Sequence, residues 1–197
     1  MNHQSTETNS ALRKSVDVKR IVTIALMAAV CCILGPLSLP IGPVPISLTV
    51  FAAFLTVYVL GMKDGTIAYV IFLLLGLVGL PVFSGFAGGA AKLFGPTGGY
   101  LFGLIASCLI AGYFIDRFKA RQWYLHIVGM ILGVIACYLC GTFYFMLQMS
   151  ETFAEAMGTC VIPFIPVDAI KVALACLIGT TLRKALSAAG GMHYKNL

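Results

Sequence analysis

Charge is what this sequence has least of. Of its 197 residues, 10% are charged and only seven are acidic, against 60% that are hydrophobic. A soluble domain is about a quarter charged, so this composition excludes an ordinary water-facing surface. The solvent it fits is a lipid bilayer, whose core of roughly 30 Å takes apolar runs of about 20 residues. Histidine is scarce as well. His3 and His193 lie in polar ends and His126 opens an apolar run, so no metal centre is expected. No P-loop ending in Lys-Ser/Thr and no strand-borne GxGxxG is present, which excludes a nucleotide site and any energy source within the chain. Basic residues interleaved with aromatics are also missing, which excludes nucleic acid as a partner. Six of the seven cysteines (Cys31, Cys32, Cys108, Cys137, Cys140 and Cys176) lie inside apolar runs, where cysteine acts as a small hydrophobe. Cys160 is the one loop cysteine. Cys137 and Cys140 form a C-x-x-C without a second pair or a βαβ setting, so neither a redox nor a zinc role is assigned.

What remains is apolar, and it falls into six runs: Ile21–Leu34, extended by the Val16–Arg20 turn, then Leu48–Leu60, Thr66–Val82, Gly98–Ile115, Trp123–Leu147 and Val167–Leu182. They lack the alternation of barrel strands, and backbone in lipid must satisfy its own hydrogen bonds. The sequence therefore predicts an all-α membrane protein with six transmembrane helices. Residues 1–15 are expected to form a disordered cytoplasmic tail, 16–187 the membrane domain and 188–197 a second tail. The polar opening, with no A-x-A exit after the first apolar run, is not read as a cleavable signal peptide.

Six crossings give the basic residues a common side. The N-terminus, the Lys63 turn, the turn holding Arg117, Lys119 and Arg121, and the C-terminus alternate onto one face, which then carries eleven of the thirteen Lys and Arg. Basic loops stay in the cytoplasm, so both termini are expected there. The proline-rich loop Gly35–Ile46, the glycine loop around Phe86–Gly99 and the segment Ser150–Pro166 would face outward.

Two basic residues are left on the outer half, Lys92 and Lys171, together with one acid inside a run, Asp168. Ionisable residues at membrane depth mark functional sites. In "IPFIPVDAIKVALA" (Ile162–Ala175), prolines precede a helix start, Asp168 sits in the first turn, and Lys171 shares its face at i+3. The pair reads either as a snorkelling staple or as a clamp on a small ligand. In "FAGGAAKLFGPTGGYLFG" (Phe86–Gly103), six glycines allow close backbone approach. Irregular backbone at this depth is tolerated where it lines a cavity. Gly98 and Gly99 would offer amides at a helix start to a carboxylate, and Phe86, Phe94 and Tyr100 would supply apolar walls. A tight interhelical loop whose glycines serve packing is the alternative. Ser84 and His126 fall on opposite faces of the predicted topology, so no Ser–His pair forms and no enzyme is expected. Ala25 and Ala29, with Ala28 beside them, form a small-xxx-small patch suited to helix packing or to docking of a partner.

Three stretches carry a family resemblance. "GLVGLPVFSGFAGGAAKLFGPTGGYLFG" (Gly76–Gly103) resembles the signature of the BioY family, the biotin-specific substrate-binding (S) components of energy-coupling factor (ECF) transporters. "LPIGPVPISLTVFAAFLTVYVLGMKDG" (Leu39–Gly65) and the Asp168–Lys171 segment resemble further parts of it, so that the resemblance extends from Leu39 into the last apolar run. The resemblance implies an S-component fold in a prokaryotic cytoplasmic membrane. It implies biotin as ligand and no cofactor, with a pocket open to the outside formed by Ser84, Phe86, Lys92, Gly98, Gly99, Tyr100, Asp168 and Lys171. It also implies a coupling transmembrane subunit that docks on Ala25, Ala28 and Ala29, and two cytoplasmic ATPase subunits. The alternative is a stand-alone facilitator for biotin or another small vitamin. The family's Val-Pro-x-Thr-Leu-Gln is replaced here by Val44, Pro45, Ile46, Ser47, Leu48 and Thr49. The hydroxyl is kept at Ser47, and the amide is lost at Thr49.

Overall fold

The computed structural model describes residues 3–40, 45–118 and 120–188, without the side chains of 3–17 and 120. Val44, Lys119 and the tail beyond 188 lie outside the described residues. Within them the chain forms seven α-helices: α1 (His3–Leu34), α2 (Thr49–Leu77), α3 (Ala90–Leu93), α4 (Gly98–Arg117), α5 (Trp123–Met149), α6 (Phe153–Cys160) and α7 (Ile165–Ala188). Four of them (α2, α4, α5 and α7) are long and apolar enough to cross a membrane.

The helix count departs from the expected six for two reasons. Short helices α3 and α6 fill two of the predicted outer loops. The predicted second and third runs share a single element, α2. The proline-rich loop also holds a small antiparallel ladder, Ser38 opposite Ser47 and Leu39 opposite Ile46, where an all-α chain was expected.

The continuity of α2 hides a reversal. Gly61 has φ +83° and ψ −177°, a conformation that a side chain would strain. In an unbroken helix Val57 and Gly65 would lie about 12 Å apart. Instead, a Cβ placed on Gly65 would come within 2.6 Å of the Val57 Cα. The chain folds back on itself at Gly61, leaving a first arm (49–60) and a second arm (62–77). The carboxylate of Asp116, from α4, sits against this turn and accepts the Met62 amide at 2.8 Å, satisfying a donor that a starting helix leaves free.

The first arm is the centre of the molecule. Ala52 to Leu60 are buried without exception, which is the pattern of a helix packed on all sides. Phe54, Val57 and Tyr58 meet Tyr69 and Phe72 of the second arm, Cys108 and Ala111 of α4, Met130 of α5 and Val172 of α7 in one core. Helix α1 gives Cys31 to this core and adds a smaller cluster, with Met27 and Ala28 against Leu55, Val59 and Ala68. α4 and α5 approach closely enough for the Ser107 hydroxyl to donate across to the Gly133 carbonyl at 2.5 Å, as small residues at helix contacts permit.

Candidate functional site

Pro166 stands in the first turn of α7, where its missing amide costs nothing. Asp168 follows in the same turn, 3% exposed, and Lys171 one turn on is 5% exposed. The lysine Nζ donates to Asp168 Oδ1 at 2.7 Å. From α5, the Tyr138 hydroxyl donates to the other carboxylate oxygen, Oδ2, at 2.6 Å. The carboxylate is thus held from two sides by two helices. Each oxygen of an ionised carboxylate has two lone-pair sites, so one donor on each leaves acceptor capacity for a ligand.

Beside this group lies a cavity of about 460 Å³ between α5, α6 and α7, within the usual range for small-molecule sites. Asp168, Tyr138 and Thr142 are its polar lining; Val134, Met157 and Val172 are among its apolar walls. Helix α6 closes one side. Its start is fixed by the reciprocal Thr152–Glu155 pairing of a capping box. The Thr152 hydroxyl and amide both donate to the Glu155 carboxylate, at 2.6 and 3.0 Å, and hold its pKa below the ordinary 4.5. On the inner side Phe145, Ala156, Cys160 and Phe164 pack α6 against the bundle.

The structure brings some of the predicted site residues together and leaves others apart. Asp168 and Lys171 meet as expected. Tyr100 joins them at one remove, because its hydroxyl lies 3.3 Å from that of Thr142, which lines the cavity. Gly98 and Gly99 are buried at the start of α4, but the Gly98 amide already donates to the Gly95 carbonyl at 2.8 Å. A Cβ on Gly99 would overlap the Tyr144 side chain. Both glycines therefore allow close packing at the start of α4. Lys92 is half-buried in the last turn of α3, and Ser84 is half-buried before it. Phe86, at φ 57°, and Phe94 are exposed. None of these lines the cavity beside Asp168. The loop is nonetheless tied to α5, since the Phe94 carbonyl accepts from the Tyr144 hydroxyl at 2.9 Å.

Thr49, where the family pattern has Gln, is buried at the start of α2 and accepts from the Ser47 hydroxyl at 2.9 Å. The shorter side chain is absorbed in a local turn. His126 is buried, with Nδ1 2.7 Å from the Tyr58 hydroxyl and Nε2 3.2 Å from the Phe118 carbonyl. Both ring nitrogens are engaged, so it has no nucleophile to serve. On α1, Ala25 and Ala29 are exposed along a groove against Ile67 and Ile71 of α2, whereas Ala28 turns inward into the α1–α2 contact.

Sequence reading missed Tyr138 and Thr142. Both lie in an apolar run where tyrosine and threonine look like packing residues. The signal that could have found them is their i, i+4 spacing, which places the two hydroxyls on one face of α5.

Comparison with known proteins gives this site its context. The BioY family model matches residues 5–188. The biotin transporter BioY of Thermotoga maritima is 38% identical over 167 residues, covering 85% of this chain and 97% of that protein. The probable biotin transporter BioY of Pyrococcus horikoshii is 38% identical over 168 residues, covering 85% and 98%. A crystal structure of the S-component for biotin from an ECF-type ABC transporter superposes with a TM-score of 0.80 at 35% identity, covering 85% of this chain and 92% of that one. This chain belongs to the BioY family.

Proposed function

We propose that this chain binds biotin and takes it up across the cytoplasmic membrane as the S component of an ECF-type importer. The observation that carries the reading is the buried Asp168–Lys171 pair, set beside a cavity large enough for a small bicyclic ligand. A cyclic urea offers two N–H donors and one carbonyl. Asp168 accepts from the donors and Lys171 donates to the carbonyl. Each charge-assisted bond contributes about 1.5–3 kcal/mol in a site of low dielectric. Tyr138 holds the carboxylate in position for this. The apolar ring and side arm of the ligand suit the Val134 and Val172 walls. Its carboxylate would lie toward the glycine loop, with Lys92 as counter-charge, Tyr100 between, and Ser84, Phe86, Gly98 and Gly99 forming the loop's frame.

The function agrees with the described geometry if the apolar half of α1, both arms of α2, and α4, α5 and α7 each count as one pass. Six passes put the Gly61 turn, the turn after α4 and both termini together on the basic, cytoplasmic side. α3, α6 and the short ladder then lie outside. Transport by such a chain needs a coupling transmembrane subunit, for which the exposed Ala25 and Ala29 offer a close-approach surface, and two ATPase subunits to supply the energy.

Labelled biotin binding to the purified chain tests the reading. Asp168→Asn and Lys171→Ala are each expected to weaken it by tenfold or more, by loss of about one charge-assisted bond. Wild-type affinity in both would eliminate the clamp. Uptake in cells lacking any ECF ATPase separates the importer subunit, which should be inactive there, from a stand-alone facilitator.

A further inference from the structure

A second set of charges gathers at the far end of the bundle. Arg183 follows Asp168 by 15 residues along α7, about 22 Å at helical rise, and pairs with Asp116 of α4 at 3.7 Å. Next to this pair an open groove of about 370 Å³ runs between α1, the Gly61 turn and the end of α4. Two carboxylates line it, and both are engaged by the protein. Asp64 accepts from Arg20 through both oxygens, at 2.7 and 2.5 Å. Asp116 holds the Met62 amide as well as facing Arg183. Lys63 and Arg117 stand exposed on the rim. With Arg20 and Arg183, four cations therefore surround two carboxylates. The third side of the groove is apolar, formed by Leu60, Met62 and the ring of Tyr113, which is 56% exposed.

Basic rim, interfacial aromatic and apolar floor together match one class of ligand. An anionic phosphate can sit between Lys63 and Arg117, while the hydrocarbon attached to it lies against Tyr113 and Leu60. Tyrosine is favoured where headgroup meets hydrocarbon, and basic pockets between helices on the cytoplasmic side hold acidic headgroups. A soluble anion would make no use of the apolar wall. We propose that this groove is a binding site for the headgroup of an anionic phospholipid, bridging the Gly61 turn and the end of α4.

The test is lipid retention by the full chain in nanodiscs of phosphatidylglycerol mixed with phosphatidylcholine, read by native mass spectrometry. Each basic residue near an anionic surface contributes about fivefold in affinity. Lys63→Ala and Arg117→Ala should therefore each reduce phosphatidylglycerol retention about fivefold and the double variant more, and added salt should narrow the difference. Both side chains are exposed, so the variants are expected to fold, and unchanged melting in pure phosphatidylcholine checks this. Arg121→Ala removes an exposed cation that does not line the groove and should reduce retention less than Lys63→Ala or Arg117→Ala. Equal retention by the wild type and the double variant would overturn the proposal. So would an equal loss with Arg121→Ala, or complete displacement of the retained phosphatidylglycerol by inorganic phosphate.

Discussion

The molecule carries two acid–base groups at its two ends, built from the same residue types and doing different work. At one end Asp168, Lys171 and Tyr138 are enclosed beside a cavity, with both charges almost wholly out of solvent. At the other, Arg20 is half exposed where it meets Asp64, and Asp116 is half exposed where it meets Arg183. The second group joins α1, α2, α4 and α7 across the Gly61 turn, beside a groove open to solvent. Salt bridges of this kind contribute little each. The enclosed pair is costly to desolvate, and its presence inside an apolar protein points to a ligand. Burial of both charges, more than the identity of the ions, separates the enclosed pair from the far-end group.

The comparison breaks most sharply at Asp168. Asp168→Asn leaves Lys171 buried without its counter-ion, a change expected to cost about 3–5 kcal/mol. Replacing both partners by apolar residues of similar size, as in Asp168→Leu with Lys171→Met, removes that orphaned charge. The double variant should regain most of the lost stability and still bind no biotin. Thermal melting in detergent, run beside biotin binding, separates the two effects. A double variant as unstable as the single one would show that the pair serves the fold and not a ligand.

How far this contrast was legible in the sequence depends on what each residue's neighbours reveal. Asp168 and Lys171 could be found because an acid and a base inside an apolar run are conspicuous and their i, i+3 spacing fixes a shared face. The glycine loop was equally conspicuous, yet Gly98 and Gly99 lie against the Gly95 carbonyl and the Tyr144 ring, partners far enough along the chain or subtle enough in geometry to leave no local mark. Tyr138 was invisible for a related reason. A hydroxyl on an aromatic residue in a hydrophobic helix signals function only once α7 is laid against it. The reversal at Gly61 was legible as a break between two apolar runs, since Lys63, Asp64 and Gly65 interrupt them. That the two arms would join without a loop depends on the carboxylate of Asp116, 54 residues away in the chain.

Tyr138 sharpens the comparison at intermediate size. Tyr138→Phe keeps the ring that walls the cavity and deletes one bond to a buried carboxylate, with an expected effect of about 1.5–3 kcal/mol. If the hydroxyl positions Asp168 for a ligand, biotin affinity should fall by at least tenfold, while melting in the absence of biotin shifts less than in Asp168→Asn. The loss should also be greater for ligands that keep the cyclic urea than for analogues that lack it. An unchanged dissociation constant would remove Tyr138 from the site.

The smallest effect is expected at the far end, and its smallness is the point. Arg20→Ala removes both hydrogen bonds to Asp64, but on a side chain that is half in solvent. Exposed pairs contribute about 0–1 kcal/mol and are screened by salt. The bidentate geometry places this one toward the upper part of that range. A melting shift of at most a few degrees is expected at low ionic strength, fading as salt is raised, with biotin affinity unchanged if the proposed clamp on α7 is the ligand group. A loss of biotin binding in Arg20→Ala at full thermal stability would contradict the separation of the two ends. It would mean that the α1–α2 junction communicates with the cavity through the first arm of α2, which is buried from Ala52 to Leu60.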